Sequence, residues 1–253
     1  MLIFDFDGVL MDSVQEVAVT TYNMLHSGLA TRLNQVPRKA LDLFLRNRFH
    51  IQPIGDAPVL MKWCLETGKS APQKLLSAGE YDDIIGHAAE PVADRTRGFF
   101  ETRNRFKTRD PEAWTALNRP MQPLWRHLLE RQTGEPVILT NKDSEATLDL
   151  CRHFGLPIGS GNIYAGDNGT TKIQNMQRIM QRFASGRYAF IDDSIKNLRE
   201  IDAYFNRDNQ TIELILAEWG YTGPNDAHMA TSSGYQNLTM NAFIGQLKDG
   251  FYF

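Results

Sequence analysis

From residue 137 to residue 220 the chain repeats one pattern: a short apolar run, a polar turn, then an amphipathic segment long enough for a helix. The runs are "VILTN" (137–141), "NIYAG" (162–166), "YAFIDD" (188–193) and "IELILAEWG" (212–220). Between them lie "EATLDLCRHFG" (145–155), which Asp143 or Ser144 can cap, a turn at "DNGTT" followed by a helix over 172–183, and "SIKNLREIDAYF" (194–205). Strands that alternate with helices of this length are joined by right-handed crossovers, so they form a parallel sheet covered on both faces. The fold class this predicts is α/β, a doubly wound, Rossmann-like parallel sheet.

The chain opens with a further run of the same kind, "MLIFDFDGVL", in which residues 2–6 read as a buried strand ended by a turn at Gly8. From 14 to 133 the pattern changes. "VQEVAVTTYNMLH", "RKALDLFLRNRFH", "APVLMKWCLETG" and a polar run from Glu80 to Lys107 read as helices separated by Pro and Gly, with no strand of comparable quality. These helices therefore read as an insertion: an α/β core from 1–13 and 134–253, and an all-helical domain from 14–133. A length of 253 residues suits either one large domain or a core with one smaller insert. After Tyr221, "GYTGPNDAHMATSSGYQ" reads as loop and "TMNAFIGQL" as a closing helix.

Composition narrows the function classes. With 27 Lys+Arg against 30 Asp+Glu, the net charge of -3 gives no footprint for nucleic acid. No apolar stretch is long enough for a membrane helix, and carboxylates stand in the first ten residues where a leader needs a basic start, so a cytoplasmic protein is expected. Cys64 and Cys151 lie in helical segments without a nearby His or a paired Cys, and are expected to be buried thiols. The six histidines show no metal-ligand spacing, and Trp63, Trp114, Trp125 and Trp219 read as packing residues.

The chemistry is concentrated at strand ends. Alternation puts Asp5 and Asp7 on one side of the first strand, opposite Phe4 and Phe6, at the carboxyl edge where open α/β sheets bind ligands. Two close anions repel unless a cation or a shared proton compensates, and all-oxygen ligation suits Mg²⁺. Asp192 and Asp193 end another strand of the same sheet and would reach the same edge. Thr140 and Asn141 in "ILTNKD" offer a hydroxyl and backbone donors, and Lys172 brings a positive charge to a helix start. Such a set suits an anionic, oxygen-rich group such as phosphoryl.

In these residues the chain resembles the haloacid dehalogenase-like superfamily of phosphatases. "DFDGVL", "LTN", Lys172 before its helix and "IDDS" stand in the order of that family's four motifs, and the helical insertion sits where its cap of the first type is placed. "DFDGVLMDS" and "TNKDS" most resemble phosphoglycolate-phosphatase and β-phosphoglucomutase-like members. The resemblance implies that Asp5 is the nucleophile that forms an aspartyl-phosphate and that Asp7 is the acid and base. It implies Mg²⁺ held by Asp5, the backbone carbonyl of Asp7 and Asp193, with Asp192 nearby or acting through water. Thr140, the Asn141 amide and Lys172 would hold the phosphoryl oxygens. The cap would open and close to admit substrate and exclude water.

The function expected is Mg²⁺-dependent hydrolysis of a small phosphorylated metabolite, with no nucleic-acid or membrane partner. A phosphomutase would use the same core residues, and a non-catalytic binder could keep the same fold. Two local features read more plainly: Lys142 as exposed or one step removed from the chemistry, and "RNRFKTR" (103–109) as a solvated helix end rather than a substrate-anion site.

Overall fold

The computed structural model describes residues 1–250 apart from 27, 131–135, 185 and 208–211. Among these residues the strands are β1 (Leu2–Phe4), β2 (Met11–Asp12), β3 (Arg119–Pro120), β4 (Val137–Leu139), β5 (Ile163–Tyr164), β6 (Tyr188–Asp192), β7 (Ile212–Ala217) and β8 (Gln236–Leu238). Six of them form one parallel sheet in the order β5-β4-β1-β6-β7-β8, the doubly wound architecture that the alternating pattern predicts. From β1 the chain builds outward through β4 and β5, then crosses to β6 on the other side of β1 and builds outward again. The order therefore reverses between β1 and β6, which opens a crevice at their carboxyl ends.

Every residue of β1, β4 and β6 is buried, because helices cover both faces of the sheet. Ile3, Leu139, Phe190 and Leu214 share an apolar cluster with Met176 and Ile179 of α9 (Lys172–Arg182) and Leu198 and Ile201 of α10 (Ile195–Phe205). Phe4 meets Phe243 of α12 (Met240–Lys248) edge to face at 6.2 Å, and Phe243 lies 5.7 Å from the Trp219 ring. The segment after Tyr221 thus supplies core packing. It also contains a helix, α11 (Asp226–Ser232), where the sequence reads as loop, and it adds the edge strand β8. "QNL" carries no β-branched residue, so that strand is set by its pairing with β7.

The chain divides into two compact units, Met1–Asp12 with the chain from Pro120 onward, and Ser13–Arg119. The sequence boundary at 133/134 falls within 131–135, outside the described residues. The helix α7 (Leu124–Glu130) belongs to the sheet-bearing unit: its Trp125 is buried, packs edge to face at 6.3 Å on Phe154, which follows α8 (Ser144–His153), and donates its indole N–H to the Phe154 carbonyl at 3.3 Å.

The second unit is helical: α1 (Val14–Leu25), α2 (Arg38–Arg46), α3 (Ala57–Thr67), α4 (Ala78–Gly86), α5 (Val92–Arg109) and α6 (Pro111–Ala116). Pro91 splits the long polar run into α4 and α5, since a residue preceding a helix tolerates the missing N–H. Helix α1 packs on α3 and on α5, and two buried charged residues join it to α5. Arg103 is 3% exposed, its Nε and Nη2 each 3.0 Å from a Glu16 carboxylate oxygen, and Thr20 Oγ1 donates to the same carboxylate at 2.7 Å. The "RNRFKTR" run is therefore not uniformly solvated: Arg103 faces inward, over the Phe99 ring at 4.7 Å.

Cys64 and Cys151 are fully buried, and burial raises both thiols, Cys151 to about 12. Neither is expected to react with Ellman's reagent at pH 8 while the protein is folded, and both should react in guanidinium chloride. Rapid labelling of the native protein contradicts that burial. No helix among the described residues is long and apolar enough to cross a membrane.

Candidate active site

The site begins where β1 stops. The sequence pattern extends this strand to residue 6, but the ladder ends as the Asp5 N–H donates to the Ile191 carbonyl at 2.8 Å. Beyond it the chain turns back: the N–H groups of Leu10 and Met11 both donate to the Phe6 carbonyl, and Gly8 takes φ +87°. Pairing of Phe4 with Ile191 brings Asp5 level with Asp192 on the neighbouring strand, at the crevice where the strand order reverses.

Asp5, Asp192 and Asp193 each offer a carboxylate oxygen within 4.8 Å of the other two, and all three residues are buried. Lys172 joins them from the first turn of α9. A capping box fixes that helix start: Thr171 Oγ1 accepts the Gln174 N–H, and Gln174 Oε1 accepts the Thr171 N–H at 2.9 Å. The Lys172 ammonium then lies 3.0 Å from Asp5 Oδ1 and 2.5 Å from Asp192 Oδ2.

The two adjacent aspartates differ in their partners. Asp192 accepts from Lys172, from the Ser194 N–H at 2.8 Å, and from Asn197 Nδ2 at 3.0 and 3.1 Å. Asp193 Oδ2 instead accepts the Tyr221 N–H at 2.6 Å. Two glycines make room for Asp193. A Cβ on Gly8 would stand 1.9 Å from Asp193 Oδ2, and one on Gly220 would stand 2.2 Å from Asp193 Cβ. Any side chain at either position would displace the carboxylate.

Asp7 is not part of the carboxylate cluster. Its Oδ1 lies 3.3 Å from the ammonium of Lys142, whose side chain is fully buried. Of the two sequence readings of Lys142, exposure does not hold and a place one step removed from the chemistry, beside Asp7, does: a lysine in a polar turn gives no local sign of a carboxylate 135 positions away. Thr140 is buried and its Oγ1 accepts the Lys142 N–H at 3.1 Å, so its own hydroxyl hydrogen can be directed elsewhere. Asn141 is exposed, and Gly166 of the next turn presses on its backbone, where a Cβ would meet the Asn141 carbonyl at 2.8 Å. The structure thus brings Asp5, Lys172, Asp192 and Asp193 into one buried cluster, pairs Asp7 with Lys142, and leaves Thr140 and Asn141 at the neighbouring strand end. Lys142, Asn197, Gly220 and Tyr221 are additions to the sequence-derived set.

The electrostatics leave negative charge for a proton or a further cation to offset. Burial drives the Asp5 carboxyl well above the usual carboxylate range; Asp192, Asp193 and Asp7 push the same way, and Lys172 opposes them. Burial alone would lower Lys172, but Asp192 and Asp5 outweigh it and hold the ammonium charged. One lysine against three gathered carboxylates leaves negative charge uncompensated. Oxygen-only donors within reach of one point fit a hard divalent cation.

No protein-family model matches the sequence, and no curated protein matches it. Solved structures match the chain over nearly its whole length. A predicted phosphoglycolate phosphatase from Haemophilus somnus 129pt superposes with a TM-score of 0.60 at 15% identity, over 99% of this chain and 97% of its own. Protein Tyrosine Kinase A of Mycobacterium tuberculosis gives 0.58 at 14% identity, over 97% and 96%. A HAD family hydrolase from Deinococcus radiodurans R1, with bound phosphate and sodium, gives 0.50 at 18% identity, over 97% and 93%. At such identities the likeness shows a shared fold, and the chemistry has to be read from this chain's own residues.

Proposed function

We propose that this chain, which has the fold of the haloacid dehalogenase-like hydrolases, hydrolyses the phosphate monoester of a small metabolite through a phosphoryl group carried on Asp5. The observation that carries this reading is the buried cluster of Asp5, Lys172, Asp192 and Asp193 at the strand-order reversal, with a second carboxyl, Asp7, two residues beyond Asp5. The names of the solved relatives, several of them phosphatases, agree with it.

An Asp5 carboxylate oxygen attacks phosphorus as the bond from phosphorus to the ester oxygen breaks, and Asp7 gives its proton to the departing alkoxide. Asp7 then takes a proton from water, whose oxygen attacks the same phosphorus. The acyl-phosphate bond breaks, inorganic phosphate leaves and the Asp5 carboxylate is restored. Lys142, 3.3 Å from Asp7, holds that carboxyl in place. Lys172, the Thr140 hydroxyl and the Asn141 N–H stabilise the phosphoryl oxygens. Mg²⁺, when bound, would neutralise phosphoryl charge and the repulsion within the cluster. Asp5, Asp193 and the Asp7 carbonyl would hold the ion directly, with Asp192, which accepts from Lys172, Ser194 and Asn197, beside them.

Release of inorganic phosphate from a panel of sugar, carboxylic-acid and nucleotide monophosphates, with Mg²⁺ and with EDTA, tests this reading. Turnover that requires the metal is expected for at least one ester. No phosphate release from any ester contradicts hydrolysis, and formation of an isomeric phosphate ester would instead place the acceptor on a sugar hydroxyl.

A further inference from the structure

Asp193 belongs to the site, but its orientation depends on a segment that no catalytic motif contains. Residues 219–221 follow β7 and return to the loop after β1 at several points. The Trp219 indole N–H donates to the Val9 carbonyl at 3.0 Å. Gly220 lies against the Gly8 carbonyl and Asp193 Cβ so closely that its own Cβ would approach them to 2.7 and 2.2 Å. The Tyr221 N–H donates to Asp193 Oδ2 at 2.6 Å, and its phenol Oη donates to Asp12 Oδ1 at 2.8 Å. One residue therefore grips Asp193 with its backbone and the end of β2, just beyond the Asp5–Leu10 turn, with its side chain.

We propose that Tyr221 is a positioning residue for the metal site: its phenol, anchored on Asp12, holds its N–H where Asp193 must present a carboxylate to the ion. This rests on the reading of Asp193 as a metal ligand. A carboxylate has rotational freedom about its Cα–Cβ and Cβ–Cγ bonds, and a metal ligand binds best when a neighbouring hydrogen bond has already fixed its orientation. In this chain Tyr221 provides that bond. Because Asp12 ends β2, which the turn after Asp5 leads into, the same anchor ties together the two segments that would carry the ion's carboxylate ligands. Loss of the phenol hydroxyl leaves the backbone donor chemically intact but no longer fixed in place.

Calorimetric titration of the metal-free full-length protein with MgCl₂ tests this without reference to turnover. Tyr221→Phe is expected to weaken Mg²⁺ binding about tenfold, in the range found for ligand-orienting partners, with near-UV circular dichroism and metal-free melting temperature close to wild type. The double variant Asp12→Ala/Tyr221→Phe should bind no more weakly than Asp12→Ala alone, since both remove one contact. Binding by Tyr221→Phe within twofold of wild type, or fully additive losses in the double variant, overturns the positioning role. Failure of the wild-type protein to bind Mg²⁺ at all would remove the metal reading itself, and the inference with it.

Discussion

Replacing Asp5 with Asn is expected to reduce phosphate release by about four orders of magnitude or more, because the amide is a poor nucleophile and no neighbouring group can take over its attack on phosphorus. Asp7 is held at a different point by Lys142, and Asp192 and Asp193 are fixed by Lys172, Asn197 and Tyr221. The same substitution should leave the metal-free protein folded and no less stable than wild type. Burial and three nearby carboxylates disfavour a charge on Asp5, so a neutral side chain of the same shape relieves repulsion. Melting curves with EDTA, run beside the phosphate assay, check both parts. A large fall in metal-free melting temperature would show that Asp5 is a structural charge.

Lys172→Met carries the largest expected effect on stability. The ammonium is buried between Asp5 and Asp192, and an apolar replacement of similar length leaves two buried carboxylates facing each other without a counter-charge. Breaking a buried ion pair from one side costs about 3–5 kcal/mol, which corresponds to a fall of roughly 6–20 °C in melting temperature for a chain of this size. Lys172→Arg keeps the charge and should recover part of that loss. Thermal melts of the metal-free variants decide the point. A shift of less than about 2 °C for Lys172→Met would mean that the cluster is already neutralised by other means.

The parts of the site that are legible in the sequence share a physical basis. Asp5 and the pair Asp192–Asp193 each stand at the end of an uninterrupted apolar run, and in a sheet covered on both faces such runs are strands whose carboxyl ends meet at one edge. Lys172 is legible as a charge at the start of a predicted helix, and the capping box of Thr171 with Gln174 that fixes that start appears in the folded chain. Lys142 and Arg103 were opaque for the opposite reason. Each is buried against a carboxylate far away in sequence, Asp7 and Glu16, and nothing beside a lysine in a turn or an arginine in a basic run reports such a partner. Tyr221 and Gly220 were hidden because their role lies in where a loop returns. The edge strand β8 likewise depends on the neighbour it joins rather than on its own β propensity.

The proposed division of labour between Asp192 and Asp193 rests on a difference that appears only in the folded chain. Adjacent identical residues at a strand end are equivalent in a one-dimensional reading, and the sequence leaves open which one meets the ion. In the folded chain Asp192 is engaged by a lysine, an asparagine and a backbone N–H, whereas Asp193 is turned toward Gly8 and Gly220 and held by Tyr221.

The most direct test of the account is to find the phosphoryl group on the enzyme. Wild-type protein mixed with Mg²⁺ and a substrate identified from the panel, labelled with ³²P in its ester phosphate, would be quenched in acid within one turnover and digested for mass spectrometry. The account predicts acid-stable, hydroxylamine-sensitive label on the peptide that contains Asp5, and none in Asp5→Asn. Phosphate release at the full rate with no label on that peptide, or undiminished turnover by Asp5→Asn, would contradict it.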